Sequence, residues 1–425
     1  MPHQPVAILD AIRTPFVKAN GQLASVTPLE LGSHVVDPLL KHPGAVLASA
    51  SRTQIIFGTA LSYPTFVYGG REVAIACGAP AINGHGTEYA CATSVKTAVE
   101  AAHLLTNDTA DVVIAGGSDS LSHQPLLISE TLDRVARMSR KRDAQAFATQ
   151  LATLTIAEML PVLPSVNEPY NGETLAYSAE TLMHAYGVTR ADADTYAAQT
   201  QQRAAAARDT YLSPRVRPID TPNGTVSQDD LIRGDTTVDV LAALPAVFDT
   251  GGVTSGNASR LTDGGAAVLL ASSTHVQRHD LKPQGWIVAS HLSAHDPHVG
   301  VLLGPAFAIP QVLDQAGMTL ADIDVIEIHE AFAGQVLANL NALASDTFAK
   351  EQLNRSTAVG VINPADINLW GGSLSIGHPF GATGARLIMH AVDRLHAENK
   401  QTALLALCIG GARGAALIIQ RDRKL

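Results

Sequence analysis

The stretch SVKTAVEAAHLLTNDTADVVIAGGSDSLS, residues 94–122, decides the fold. Ala, Val and Leu recur at helical spacing from Ser94 to Leu105, and a β-branched run opens at Ala110. The predicted order is helix, buried strand, then a turn at Gly116–Gly117. The same order recurs near the other end. A helix over roughly Ala382 to Glu398 leads into TALLALCI (402–409) and then Gly410–Gly411. VAILDAIRTP (6–15) and WIVASHLSAHDP (286–297) open two halves, and TDGGAAVLLAS (262–272) and RGAALIIQ (413–420) close them. One α/β unit used twice is predicted, with a boundary near residue 280. Residues 123–250 do not fit the repeat. They are polar and helical, and LPSVNEPYNGE and DTPNGTVSQDD interrupt them. They are predicted to lie over the first half as an insertion, a kind of segment that often shapes binding sites.

Composition narrows the function. The chain has 425 residues, 46% of them hydrophobic, enough for a large core. Its formal charge is −10, so it lacks the basic footprint of a nucleic-acid binder. Three cysteines, Cys77, Cys91 and Cys408, make neither a disulfide framework nor a zinc motif, and they fit a reducing compartment. The opening residues lack a charged and then apolar leader, and the terminal RKL resembles a peroxisomal ending only loosely. The most apolar run, 403–419, is broken by Gly410, Gly411, Arg413 and Gly414. A cytoplasmic location is expected.

Four places can carry chemistry. Cys91 stands at the predicted helix start, among the small residues Ala90, Ala92, Thr93 and Ser94. A helix N-terminus is expected to lower a thiol pKa, and small neighbours admit a substrate carbonyl. A buried structural cysteine is the alternative there, and the preferred reading for Cys77. His378 sits in the glycine-rich loop GGSLSIGHPFGATGAR (371–386), where a rigid imidazole could act as a base. That loop lacks the Lys-Ser/Thr ending of a phosphate loop. Cys408 ends a strand beside Gly410, whose N–H could hold an oxyanion. His329 and Glu330 lie in IEIHEAFAGQ (326–335), where Ala333 excludes an HExxH metalloprotease. Two cysteines and two histidines at element ends suggest thioester chemistry through a covalent acyl intermediate on Cys91.

This combination resembles the thiolases. A Cys at a helix start is followed by DVVIAGG, GNAS…DGGAAVLL, EAFAGQ, GGS…GHPFGATGAR and CIGG, in order along nearly the whole chain. IHEAFAGQVLANL and WGGSLSIGHPFGATGARLIM resemble the β-subunit of the fatty-acid oxidation trifunctional complex and its bacterial counterparts. The resemblance implies an α/β thiolase fold: two repeated βαβαβαββ core halves in a five-layer αβαβα arrangement, plus an inserted helical loop domain. Residues 1–122 with 251–283 would form one half, 284–425 the other, and 123–250 the loop domain.

The implied activity is that of an acetyl-CoA C-acyltransferase, or of an acetyl-CoA C-acetyltransferase: CoA-dependent thiolysis of 3-ketoacyl-CoA, or the reverse condensation, as in fatty-acid β-oxidation. Cys91 would be acylated, His378 would take its proton, and Cys408 would be the second acid/base. His329 would hold a water in one oxyanion hole with His378, and the N–H groups of Cys91 and Gly410 would form a second. Arg233 and Ser259 would contact CoA, which is a substrate; no resident cofactor and no metal are implied. Ala412 stands where thiolases usually keep Gly, Arg260 where a small residue is usual, and GETLAYSAE (172–180) lacks the usual Met-Gly.

Two other classes compete. YACATS also resembles decarboxylating ketoacyl synthases, which use Cys-His-His where this chain has Cys408. An inactive CoA-binding subunit of a complex is the other. A homodimer or tetramer is implied, as is an enoyl-CoA hydratase/3-hydroxyacyl-CoA dehydrogenase α-subunit as partner. RVARMSRKR (134–142) carries five basic residues. It reads either as a solvated face beside a helix that packs Phe147, Leu151, Leu154 and Met159 on the core, or as a docking surface for that subunit or an anionic membrane.

Overall fold

The computed structural model describes residues 4–139, 144–162 and 167–423. The first half contains strands β1 (Val6–Arg13), β2 (Thr53–Gly58), β3 (Val112–Ser120) and β4 (Thr262–Ala271), with helices α1 (Pro28–Leu40) and α2 (Thr93–Thr106). Two helices of the intervening segment, α3 (Leu175–Ala185) and α4 (Arg190–Ala207), matter below. The second half contains β5 (Gly285–Ala294), α5 (Gly304–Ala316), β6 (Val325–Ile328), α6 (Ala333–Leu343), α7 (Thr383–Ala397), β7 (Thr402–Ile409) and β8 (Arg413–Gln420).

The sheet order states the repeat. β1 pairs antiparallel with β4, β4 with β3, and β3 runs parallel to β2. β5 likewise pairs antiparallel with β8, β8 with β7, and β7 runs parallel to β6. A short edge strand, Asn83–His85, extends the first half beyond β2. The halves meet at a seam of three residue pairs, Val6–Ile287, Ala7–Trp286 and Ile8–Gly285.

Residues alternate across each strand because side chains point to opposite faces with period two. Ile55, Phe57 and Ile114 face an outer layer with Val35, Val36 and Leu39 of α1. Val113 and Ala115 face inward with Val95 and Ala98 of α2, Leu387 and Ile388 of α7, and Leu405 and Leu407 of β7. Leu404 and Ala406 face the other outer layer, with Ile309 and Val312 of α5 and Val336 and Leu340 of α6. This is the five-layer order, with α2 and α7 as the central layer. Their close approach needs Gly384: a Cβ there would sit 2.6 Å from Val95 Cγ2. Ser94 Oγ accepts the Ala385 N–H across the same contact at 2.9 Å.

Three expectations need correction. Gly116–Gly117 is not a turn but the interior of β3, paired with Ala267 and Ala266. The glycine is required by packing, since a Cβ on Gly117 would meet the Gly381 carbonyl oxygen at 2.3 Å. The turn expected at Gly410–Gly411 does occur, between β7 and β8. Secondly, 123–250 does not lie simply over the first half. α3 and α4 pack on α6 of the second half, burying Leu182, Met183 and Tyr196 there. A later stretch of the segment does pack on the first half: Arg215 pairs with Asp10, Ile219 and Val226 join Val17, Leu23 and Leu31, and Asp229 pairs with buried Arg13 at 2.6 Å.

Thirdly, the basic stretch is not followed by one helix packed on the core. Ala144–Leu151 and Ile156–Met159 are separate helices with no buried residue. Arg140, Lys141 and Arg142 lie outside the described residues, as do Lys424 and Leu425. Among the described residues, no helix is long and apolar enough to cross a membrane.

Candidate active site

Cys91 lies in a tight turn, Ala90–Ala92, that runs straight into α2. Thr93 Oγ1 fastens the turn, accepting the Tyr89 N–H at 2.9 Å and donating to Ala90 O at 2.8 Å. Ala90 has φ +45°, a left-handed conformation disfavoured for a residue with a Cβ. The second half is built the same way. His378 immediately precedes Pro379 and the turn Phe380–Ala382, which runs into α7.

The repeat brings these positions together. The Cys91 sulfur and ring nitrogens of His329 and His378 all lie within 4.8 Å of one another. The two imidazoles tilt by 45° with centroids 4.1 Å apart. The thiol also faces its own backbone N–H and that of Gly410. Cys408 ends β7, fully packed, near enough for Cys91 to bear on its ionisation. So Cys91, His329, His378, Cys408 and Gly410 converge from four separate stretches of sequence.

Electrostatics correct one expectation. Burial pushes the Cys91 thiol up to about 11, despite the helix start and the two N–H groups that favour the thiolate. Desolvation outweighs the helix N-terminus here. Burial also raises Cys408 well above the usual thiol range, with Cys91 adding to the shift. Burial lowers His378 to about 3, helped by the Arg386 guanidinium, and holds His329 well below its ordinary value for the same reasons plus its neighbour His378. The resting site is therefore two thiols and two neutral imidazoles. A thiol so raised would need a base to act as a nucleophile, and two imidazoles lie within reach of it. Three donor atoms so close are a metal-binding set by count, but the buried charge of Arg386 opposes a second cation there.

The hydrogen bonds explain how the rings are aimed. His378 Nδ1 contacts Thr383 Oγ1 at 2.7 Å, and Thr383 Oγ1 donates to Pro379 O at 3.2 Å. The hydroxyl therefore accepts the Nδ1–H, leaving a lone pair on Nε2. Nε2 of His378 and Nε2 of His329 are both buried without a protein partner, the arrangement expected of atoms that await a substrate. His329 is fixed by its own N–H to Ala406 O at 2.8 Å. Glu330 accepts from Tyr196, Thr200, Asn368 and Leu374 N, tying α4 to the loop before His378.

Several supporting residues escaped the sequence reading. Asp119, on β3, accepts the N–H groups of Ala60, Leu61 and Gly381, and burial pushes it up to about 6. Arg413 donates to Gly410 O at 3.0 Å and lies over the Tyr89 ring, 4.4 Å from its centroid. Glu168 takes the Gly411 N–H at 3.0 Å. All are ordinary charged residues whose role exists only once distant strands meet.

Arg233 and Ser259 are not beside the thiol. Arg233 lines a cavity of about 250 Å³ with Gln201, Asp235, Arg260 and Leu374. Ser259 lines an adjoining hollow of about 330 Å³ with Lys18 and Arg260. The hollows reach the site through the backbone, where His378 N donates to Arg260 O and Ser259 N to Ala331 O.

Comparison with known proteins agrees with this geometry. The thiolase N-terminal domain family matches residues 6–274 and the thiolase C-terminal domain family residues 281–421. A 3-ketoacyl-CoA thiolase of Yersinia enterocolitica is 35% identical, over 98% of this chain and 96% of its own length. An acetyl-CoA acetyltransferase of Bacillus anthracis superposes with a TM-score of 0.83 at 27% identity, covering 99% of this chain and all of the other. Human mitochondrial 3-ketoacyl-CoA thiolase in complex with CoA superposes with a TM-score of 0.81 at 29% identity, covering 99% and 98%.

Proposed function

The chain belongs to the thiolase family, and from that premise we propose how its own residues carry out CoA-dependent cleavage of a 3-ketoacyl-CoA. The observation that carries the reading is the meeting of Cys91 Sγ with the imidazoles of His378 and His329 inside 4.8 Å. His378 Nε2 takes the Cys91 proton as sulfur attacks the C3 carbonyl, and attraction between thiolate and imidazolium offsets the unfavourable pKa gap. The N–H groups of Cys91 and Gly410 receive the oxyanion. The C2–C3 bond then breaks, leaving an acyl-Cys91 and the enolate of acetyl-CoA. His329 and protonated His378 hold the enolate oxygen, through a water at His329. Cys408 gives the carbon its proton and becomes the thiolate.

That thiolate deprotonates incoming CoA, whose sulfur attacks acyl-Cys91. Acyl-CoA shortened by two carbons leaves, and Cys91 recovers its proton from His378. Every proton taken in the first half-reaction is returned in the second. Arg233 and Ser259, with Arg260 between their hollows, receive the CoA portion. A decarboxylating synthase is not favoured, because the third polar group is a thiol suited to shuttling a proton. The test is thiolysis of 3-ketoacyl-CoA substrates of graded chain length with free CoA. Turnover with a covalent acyl adduct on Cys91 is expected; a folded protein inert toward every chain length would overturn the reading.

The partner surface is placed on the segment that follows β3. Leu126, Ile156 and Leu160 are 59%, 76% and 57% exposed, and in the same segment Arg137 pairs with Asp133 at 2.6 Å. This face docks a hydratase/dehydrogenase α-type subunit or an anionic membrane. Co-purification and salt-sensitive liposome flotation separate the two. Changing Arg137, Arg140, Lys141 and Arg142 to Gln is expected to weaken docking and spare thiolysis of a short substrate; loss of CoA affinity instead would assign the cluster to CoA phosphates. Sedimentation reports whether the chain itself is a dimer or a tetramer.

A further inference from the structure

His329 and His378 are the same residue type, buried, with centroids 4.1 Å apart, and on each Nε2 is buried without a protein partner. Their Nδ1 atoms meet different hydroxyls. Ser373 Oγ lies 2.9 Å from His329 Nδ1, and Arg386 Nη2 donates to the same oxygen at 2.9 Å. A guanidinium has donors and no acceptor, so Ser373 cannot direct its proton at Arg386. No other acceptor is found for that hydroxyl among the described residues. A buried hydroxyl does not waste its proton, so it donates to His329 Nδ1.

We infer that Arg386 and Ser373 form a relay that holds His329 as the Nε2–H tautomer, so that one imidazole of the pair is a fixed donor while the other, read by Thr383, is a fixed base. Ser373 and Arg386 are then positioning residues for the enolate oxygen. The inference rests on the proposed thiolysis reaction for its meaning, but the tautomer is a property of the resting protein.

The relay explains three features together. Ser373 is completely buried at the start of the short helix Ser373–Ile376, with its hydroxyl between His329 and Arg386. Arg386 is completely buried, with Nε and Nη1 lacking protein partners, so its packing is not accounted for by a full set of hydrogen bonds. Glu330 accepts the N–H of Leu374, next to Ser373, and so holds that hydroxyl in register with the ring. A neutral histidine without such a partner could exchange tautomers and turn a lone pair to the water that faces the enolate oxygen, which would then no longer be held by a fixed donor.

Two reactions separate the relay from mere packing. Exchange of an acyl group between acyl-CoA and CoA needs Cys91 and its own oxyanion hole but forms no enolate. Carbon–carbon cleavage needs both. Ser373→Ala is expected to slow cleavage about tenfold or more, the scale on which a misdirected oxyanion donor acts, and to leave exchange unchanged. In a His329→Ala background it is expected to cost nothing further. Neutron diffraction of the unmutated protein should place deuterium on His329 Nε2 and none on Nδ1. Deuterium on Nδ1 would overturn the relay, as would a Ser373→Ala loss that affects exchange equally or persists in full without His329. Absence of any thiolysis by the unmutated protein would instead count against the proposed reaction, and the neutron result would still decide the tautomer.

Discussion

The same stretch of the repeat does different work in the two halves. In the first half, the loop before the central helix supplies Cys91; in the second, the equivalent loop supplies His378. The strands that follow diverge further. β3 runs on past its glycines to Asp119, whose carboxylate holds three backbone N–H groups and contributes support. Its counterpart β7 stops at Cys408–Ile409 and turns at Gly410–Gly411, which places a thiol and an N–H group at the site. His329 likewise follows directly on β6. In the proposed reaction the second half thus provides the acid–base groups and the Gly410 and His329 oxyanion donors, and the first half the nucleophile with its own N–H. A duplicated scaffold gives two versions of each position, and chemistry needs only one to stay reactive.

The division can be broken most completely at Cys91. Cys91→Ser is expected to abolish the acyl-enzyme, since an alkoxide is far harder to form than a thiolate. Mass spectrometry after incubation with acyl-CoA reads the adduct, and a normal acylation burst in the mutant would remove the first half from the chemistry. Cys408→Ala sharpens the contrast. It should still accept an acyl group on Cys91 and fail at carbon–carbon cleavage; an acyl adduct on Cys408 in the unmutated protein would reverse the two thiols.

His329→Ala is expected to lower the cleavage rate by roughly 10² or more, with melting temperature nearly unchanged. Lost stability at intact turnover per folded molecule would make His329 a packing residue. Acid should also distinguish the halves. In the second half burial holds the ionisation of His291, His295, His329, His378 and His390 below the free value, against His34 and His275 in the first half. The unfolded chain takes up their protons below about pH 6.5 and the native state does not. Stability is therefore complete above that pH and falls as pH drops, by up to about 1.4 kcal/mol per pH unit for each histidine. Hydrogen exchange at pH 7 and pH 5.5 should show the second half losing more protection than the first.

The smallest effect lies at the turn after Cys408. Ala412 has φ +54°, a conformation that suits glycine. Ala412→Gly should relieve about 1 kcal/mol of backbone strain, offset in part by greater freedom of the unfolded chain. A melting-temperature change of at most a few degrees and unaltered thiolysis are expected.

Much of this was legible in the sequence because it depends on local pattern. The helix before β3, the runs of β1, β4, β5 and β8, and the turn at Gly410 follow from periodicity and glycine placement. Cys91, His329, His378 and Cys408 stood out because reactive side chains at element ends are conspicuous. What escaped depends on distance. Gly116–Gly117 resembles a turn until Gly381 of the other half is seen pressing on it. The helix start at Cys91 suggested a low thiol pKa, and only the surrounding burial reverses the sign. Ser373 and Arg386 are unremarkable letters until one hydroxyl is found to serve both the guanidinium and His329. The seat of α3 and α4 on α6 could not be read because the buried face of α4 is mostly alanine and that of α3 mixes Ser178 and Glu180 with Leu182 and Met183, patterns that name no partner.

The position of β1 has a consequence for synthesis of the chain. This strand is made early, yet its neighbours on the two sides are residues 266–271 of β4 and 285–287 of β5. Both of its hydrogen-bonding edges stay open until those residues have been translated. At ribosomal rates that is on the order of tens of seconds. Throughout that interval VAILDAIR is an apolar strand with nowhere to dock, the kind of segment that recruits a chaperone or another nascent chain. The seam that makes one sheet of two halves therefore also fixes the moment at which the growing polypeptide is most vulnerable.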